Sequence, residues 1–273
     1  MFEDISKVII MSDMDGTLLN SDKKITDKDR LAIEKFISLG GKFTVSTGRT
    51  MEAFEQYRSL IELKMPVVLY NGGVIYDYNS EKIMYTEYLP DDARAITEEL
   101  AEAMQEAGGE VLKIDRTYVF RNNYYQKVHT TLCGISPEYV ELSEISDDGW
   151  LKVLFAMSPE DIPKMEKIIA EKNYSTVDFV KSSGIFIEML PHNISKGSAL
   201  DEYRKLDGMN DFTFVAIGDF DNDIEMIQSA DLGACPANAE ESVKKISDIV
   251  LSETCDNGAV AELIEYIIKK CKC

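Results

Sequence analysis

Near both ends of the chain, short apolar runs alternate with longer amphipathic ones. Residues 7–12 (Lys-Val-Ile-Ile-Met-Ser) are almost continuously apolar and end in polar residues, the pattern of a parallel strand buried on both faces. Residues 26–39 predict a helix, with Leu31, Ile33, Phe36, Ile37 and Leu39 on its apolar stripe. Thr26 with Asp29 marks its start and Gly40-Gly41 its stop. Residues 42–46 predict a second strand, 51–63 a helix and 66–70 a third strand. Strand, helix, strand, helix, strand implies a parallel sheet with right-handed crossovers. The rhythm returns late, with helices over 197–206, 223–230, 240–247 and 260–270 and strands over 212–217, 232–234 and 249–251.

The middle of the chain reads differently. Residues 111–114 and 118–121 predict strands around the turn Asp115-Arg116, 150–157 a strand and 159–172 a helix. A second hairpin spans 176–180 and 185–190, joined through Ser182-Ser183-Gly184. Hairpins separated by helices imply an antiparallel α+β module. The expected organisation is therefore an α/β core from residues 1–82 and 192–273, interrupted by an α+β insertion over 83–191.

Charge narrows the function. A formal net charge of -20 disfavours nucleic-acid backbones and anionic membranes as partners. It also disfavours an anionic substrate unless a bound cation and placed Lys or Arg residues supply local positive charge. The five cysteines, Cys133, Cys235, Cys255, Cys271 and Cys273, are odd in number and mostly scattered, which argues against a disulfide framework and for a reducing cytoplasm. Cys133 and Cys235 read as core filler and the terminal pair as a tail. No signal-like segment or membrane-length apolar run stands out, so a soluble cytoplasmic protein is expected.

Four segments carry candidate chemistry. Asp13-Met14-Asp15-Gly16-Thr17 follows the first strand, where open α/β sheets bind ligands. Two carboxylates there repel unless a cation intervenes. Ser46-Thr47-Gly48-Arg49 follows the second strand, and a hydroxyl, a glycine N–H and a nearby helix start make a phosphate cradle. Lys196, between Ser195 and Gly197, opens a helix and could neutralise phosphate charge. Gly218-Asp219-Phe220-Asp221-Asn222-Asp223 follows another strand, and oxygen donors converging there without His or Cys suit magnesium. Each segment also has a bland reading: helix caps for the acids and Thr47, and a surface lysine for Lys196.

In order and spacing these motifs resemble the haloacid dehalogenase-like phosphatases, and within them the Cof-like sugar phosphatases. Asn71-Gly72-Gly73 resembles that family's Asn-Gly-Ala, with Gly73 for Ala. Asp256-Asn257-Gly258-Ala259-Val260-Ala261 resembles its late Asp-Gly-Val-Ala, with inserted residues. The resemblance implies a Rossmann-like parallel-sheet core with an inserted cap, and a magnesium-dependent phosphatase acting on a small phosphorylated metabolite. It implies Asp13 as nucleophile and magnesium ligand, and Asp15 as general acid and base with its carbonyl on the metal. Thr47, Lys196, Asn222 and the N–H groups of Met14 and Gly48 would bind phosphate. Asp219 would complete the metal site, with Asp223 ligating directly or through water. Arg116, Arg121, Tyr124 and Tyr125 are candidate leaving-group contacts or plain surface residues, and His129, His192 and Trp150 read as structural. Two other readings stay open: a phosphomutase of related fold and a phosphorylatable regulatory module. Monomer and homodimer are both allowed.

Overall fold

The computed structural model describes residues 2–60 and 64–271. The chain divides into two compact units. One comprises Met1–Thr47, Tyr57–Tyr85 and Ser195–Cys273, and the other Gly48–Gln56 and Thr86–Ile194.

In the first unit, β1 (Val8–Ser12) is buried at all five positions, as its apolar run requires. Helix α1 (Asp27–Ser38) is capped by the Thr26 side chain, which accepts from the Asp29 N–H. Only Ile33 and Phe36 of the expected stripe are buried, whereas Leu31 and Leu39 are exposed. Buried Asp29 takes a place on that face because its carboxylate accepts the Ala261 N–H at 2.8 Å. β2 (Lys42–Val45) pairs parallel with β1. Helix α2 (Met51–Arg58) stops short of the expected end, part of which (61–63) lies outside the described residues.

The third strand departs from expectation. β3 (Val67–Leu69) does not extend the parallel sheet as a ladder; a single parallel bridge joins Val68 to Ser46. It pairs antiparallel with β4 (Val74–Asp77), which in turn neighbours β5 (Lys82–Thr86). The physical reason is a reversal at Tyr70, Asn71 and Gly72, all with positive φ, which folds the chain back on itself.

The second unit contains α3 (Ala93–Ala103), β6 (Gly108–Leu112), β7 (Thr117–Arg121), α4 (Tyr124–Cys133), β8 (Glu138–Tyr139), β9 (Lys152–Ala156), α5 (Ile162–Lys172), β10 (Val177–Ser183) and β11 (Phe186–Pro191). Its six strands lie in the order β10-β11-β9-β6-β7-β8 and are antiparallel except for β7 with β8. Val111, Val153, Phe155, Ile187 and Met189 pack with Ile96 and Leu100 of α3 and Met165 of α5. Strand alternation therefore turns Glu110, Lys152 and Glu188 to the other face. Helices α3 and α4 escaped the sequence reading. Asn123 caps α4 by accepting from the Gln126 N–H, and α3 has no capping side chain to announce it.

Back in the first unit come α6 (Lys196–Arg204), β12 (Thr213–Ile217), α7 (Ile224–Ser229), β13 (Leu232–Cys235), α8 (Glu241–Ile246), β14 (Ile249–Val250) and α9 (Ala259–Lys270). The parallel sheet runs β14-β13-β12-β1-β2. Cys235 and Cys255 are buried, but Cys133 is only half-buried, because it ends α4 on the surface side; Cys273 lies outside the described residues. Among the described residues no helix is long and apolar enough to cross a membrane.

Candidate active site

The carboxyl ends of β1 and β12 lie side by side, and the Asp13 N–H donates to the Ile217 carbonyl at 2.8 Å. This pairing brings two acidic segments, distant in the chain, to one sheet edge. Asp13, Asp219 and Asp223 each offer a carboxylate oxygen, all within 4.8 Å of one another. Lys196 enters from the first position of α6, whose start is fixed by Ser195 and Ser198 capping each other. Its ammonium lies 2.5 Å from Asp13 Oδ1 and 2.6 Å from Asp223 Oδ1, and its side chain is almost wholly buried.

The surrounding loops hold these acids in place. Asp223 Oδ2 accepts the N–H groups of Asp219 and Phe220 at 3.0 and 3.1 Å, so its carboxylate shapes the turn that carries Asp219. Thr17, in the first motif but without an assigned role, donates its hydroxyl to Asp219 Oδ1 at 2.7 Å. Gly16 (φ +90) makes the approach feasible: a Cβ there would sit 2.4 Å from Asp219 Oδ2.

Burial first, then the neighbouring Asp223 charge, push the Asp13 carboxyl well above its ordinary value; Lys196 offsets only part of this. The same two causes push Asp219 up to about 7. For Lys196 burial alone would lower the pKa, but the Asp13 and Asp223 charges outweigh it and raise it. Three carboxylates gathered near one ammonium also leave negative charge that the lysine does not balance. An oxygen-only donor set with surplus negative charge fits a hard divalent cation such as magnesium, and not zinc.

Asp15 stands beside this group and not in it. It is half-exposed and its Oδ1 pairs with Lys23 Nζ at 2.8 Å, yet it lies near enough to help raise the Asp219 pKa. Lys23 went unnoticed in the sequence, where a loop lysine with φ +58 leaves no periodic signal. Met14 is buried, its carbonyl accepting from the Thr17 and Leu19 N–H groups. Thr47 is buried at the end of β2, its N–H on the Val68 carbonyl. Gly48 belongs with the second unit, where its carbonyl accepts from Lys152 Nζ at 2.8 Å. Asn222 donates its side-chain amide to Asn71 Oδ1 at 3.3 Å.

The candidate leaving-group contacts divide. Arg121 donates to the Ala101 and Met104 carbonyls, satisfying the end of α3, and Arg116 pairs with Glu138. Tyr124 is largely exposed and meets Tyr125 edge-to-face.

A family model described as haloacid dehalogenase-like hydrolase matches residues 10–264. The chain is 26% identical over 271 residues to the 5-amino-6-(5-phospho-D-ribitylamino)uracil phosphatase YcsE of Bacillus subtilis, covering 97% of this chain and 98% of that protein. It is 23% identical to the pyridoxal phosphate phosphatase YbhA of Escherichia coli, covering 95% of this chain and 98% of that one. A crystal structure of a haloacid dehalogenase-like hydrolase from Bacteroides thetaiotaomicron superposes with a TM-score of 0.81 at 25% identity, covering 95% and 99% of the two chains. With its four motifs arranged on such a sheet and matched almost end to end, the chain belongs to the haloacid dehalogenase-like hydrolases.

Proposed function

We propose that this hydrolase is a magnesium-dependent phosphatase that releases phosphate from a small phosphorylated metabolite, through a phosphoryl group carried on Asp13. The observation that carries the reading is the oxygen-only group of Asp13, Asp219 and Asp223 around the Lys196 ammonium. Asp13, the Asp15 carbonyl and Asp219 would hold the ion. Both Asp223 oxygens are already engaged, which favours its contribution through water. Bound magnesium supplies positive charge that offsets the carboxylates and the phosphoryl oxygens.

Asp13 attacks phosphorus, forming its Oδ–P bond as the ester P–O bond breaks. Asp15 gives its proton to the departing alkoxide, then takes one from the water that hydrolyses the acyl phosphate. Thr47, Lys196, Asn222 and the N–H groups of Met14 and Gly48 bind the phosphoryl oxygens, so positioning and charge neutralisation supply most of the rate. The named substrates of YcsE and YbhA are both small phosphate monoesters, which supports a metabolite of that class. The free thiols of Cys133, Cys235 and Cys255 suit a reducing cytoplasm. The test is phosphate release across a panel of metabolite monoesters, with and without magnesium, using Asp13→Asn as the blank. Magnesium-dependent release absent from Asp13→Asn is expected; no release from any ester would refute the reading.

A further inference from the structure

The reversal between β3 and β4 contributes none of the groups assigned above, yet it touches three of the elements that do. Tyr70, Asn71 and Gly72 have φ values of +53, +55 and +107 in succession. Such backbone is unfavourable for non-glycine residues and persists only where the surroundings enforce it. Tyr70, Asn71 and Gly72 are all buried.

Three contacts of the turn lead to phosphate-binding candidates. The Asn71 N–H donates to the Thr47 carbonyl at 3.0 Å. Asn71 Oδ1 accepts the side-chain amide of Asn222 at 3.3 Å. Gly72 lies against the start of α6, where a Cβ would come within 2.1 Å of the Ser195 carbonyl oxygen and 3.2 Å of Ala199 Cβ. Lys196 is the next residue after Ser195. The second, third and fourth motifs thus meet on one buried turn.

Resting on the phosphatase reading, we propose that the turn at Tyr70, Asn71 and Gly72 sets the spacing of Thr47, Lys196 and Asn222, with Asn71 as the positioning residue that aims the Asn222 amide at the phosphate. A left-handed residue with a short amide meets both demands. It reverses the chain, presenting its N–H to Thr47, and it turns a carbonyl oxygen towards Asn222. An Asn222 amide so held has one rotamer selected before substrate arrives, which lowers the cost of ordering it on binding.

The experiment uses p-nitrophenyl phosphate as substrate and inorganic phosphate as inhibitor at saturating magnesium. The proteins are wild type, Asp13→Asn, Asn71→Gly, Asn222→Ala and the double variant Asn71→Gly/Asn222→Ala. Glycine keeps the positive φ and removes only the amide, so the thermal midpoint should stay near that of wild type. Asn71→Gly is expected to raise KM and the inhibition constant of phosphate about tenfold, the loss of one oriented hydrogen bond, while kcat changes less than about twofold. The double variant should bind phosphate no worse than Asn222→Ala, because the two residues act as one unit. Asn71→Ala removes the same amide but carries the backbone penalty; it should share the tenfold shift and melt earlier. Unchanged KM and phosphate inhibition in Asn71→Gly, or full additivity in the double variant, would overturn the inference alone. Absence of phosphate release from wild type, equal to the Asp13→Asn blank, would overturn the phosphatase reading and this inference with it.

Discussion

Two buried ionic clusters in this protein use the same side-chain types to opposite ends. In the first unit Asp13, Asp219 and Asp223 crowd one ammonium, that of Lys196, and Asp13 and Asp219 are pushed up in pKa. In the second unit each acid has its own cation. Glu110 faces His129 at 2.9 Å, with Gln126 donating to it as well. Glu188 faces Lys152 at 2.9 Å and accepts from the Ser182 hydroxyl. Buried charge is tolerated when each ion is paired and hydrogen-bonded. The second cluster meets that condition within the chain; in the first, Lys196 offsets only part of the carboxylate charge. Charge imbalance, added to burial, sets the candidate site apart from the second cluster.

The strongest way to break this comparison is to remove one charge from each cluster. Asp13→Asn should cut phosphate release by at least about 10³-fold. It should also raise the melting temperature of the metal-free protein, since it relieves repulsion at an unbalanced site. Lys152→Met in the balanced cluster should lower stability by roughly 3–5 kcal/mol, leaving Glu188 buried without its cation. Lys152→Met/Glu188→Leu should recover most of that loss in chemical denaturation. If both single variants move stability in the same direction, the contrast is false.

A smaller effect separates the clusters by pH. Burial alone would lower the His129 pKa, but the Glu110 charge outweighs it and raises it from 6.5 to about 10. The pair's contribution is complete below pH 6.5 and is lost as pH rises towards 10. Asp219, raised from 3.8 to about 7, is most favourable to the metal-free fold below pH 3.8 and turns unfavourable as pH rises through 7. Denaturation midpoints should therefore fall in two windows. The upper one disappears in His129→Gln, and the lower one disappears in Asp219→Asn or with magnesium added.

The balanced cluster was the less legible of the two in the sequence. Three of the four motifs stand directly after apolar runs, so local pattern alone placed Asp13, Thr47 and Asp219 at strand ends. Lys152 and Glu188 sit inside the strand-like segments 150–157 and 185–190, where a charged residue reads as solvent-facing. Their burial depends on cross-strand register, Glu110 and Glu188 both standing opposite Leu154, which no local signal encodes. His129 read as structural, but its partner could not be named without α4, whose start at Asn123 offers only a cap. Likewise residues 66–70 carry the apolar signature of a parallel strand. The positive φ of Tyr70, which propensity disfavours, together with those of Asn71 and Gly72, makes it a hairpin instead. Strand cores and their adjoining motifs are local properties; pairing partners and side-chain clusters are not.

The most direct test of the central claim is a calorimetric titration of magnesium into wild type and Asp219→Asn at pH 8 and pH 6, on either side of the raised Asp219 pKa. The account predicts one site in wild type, weaker at pH 6 than at pH 8, and no comparable binding in Asp219→Asn. Magnesium binding that is absent from wild type, or equal in the two proteins, would contradict it.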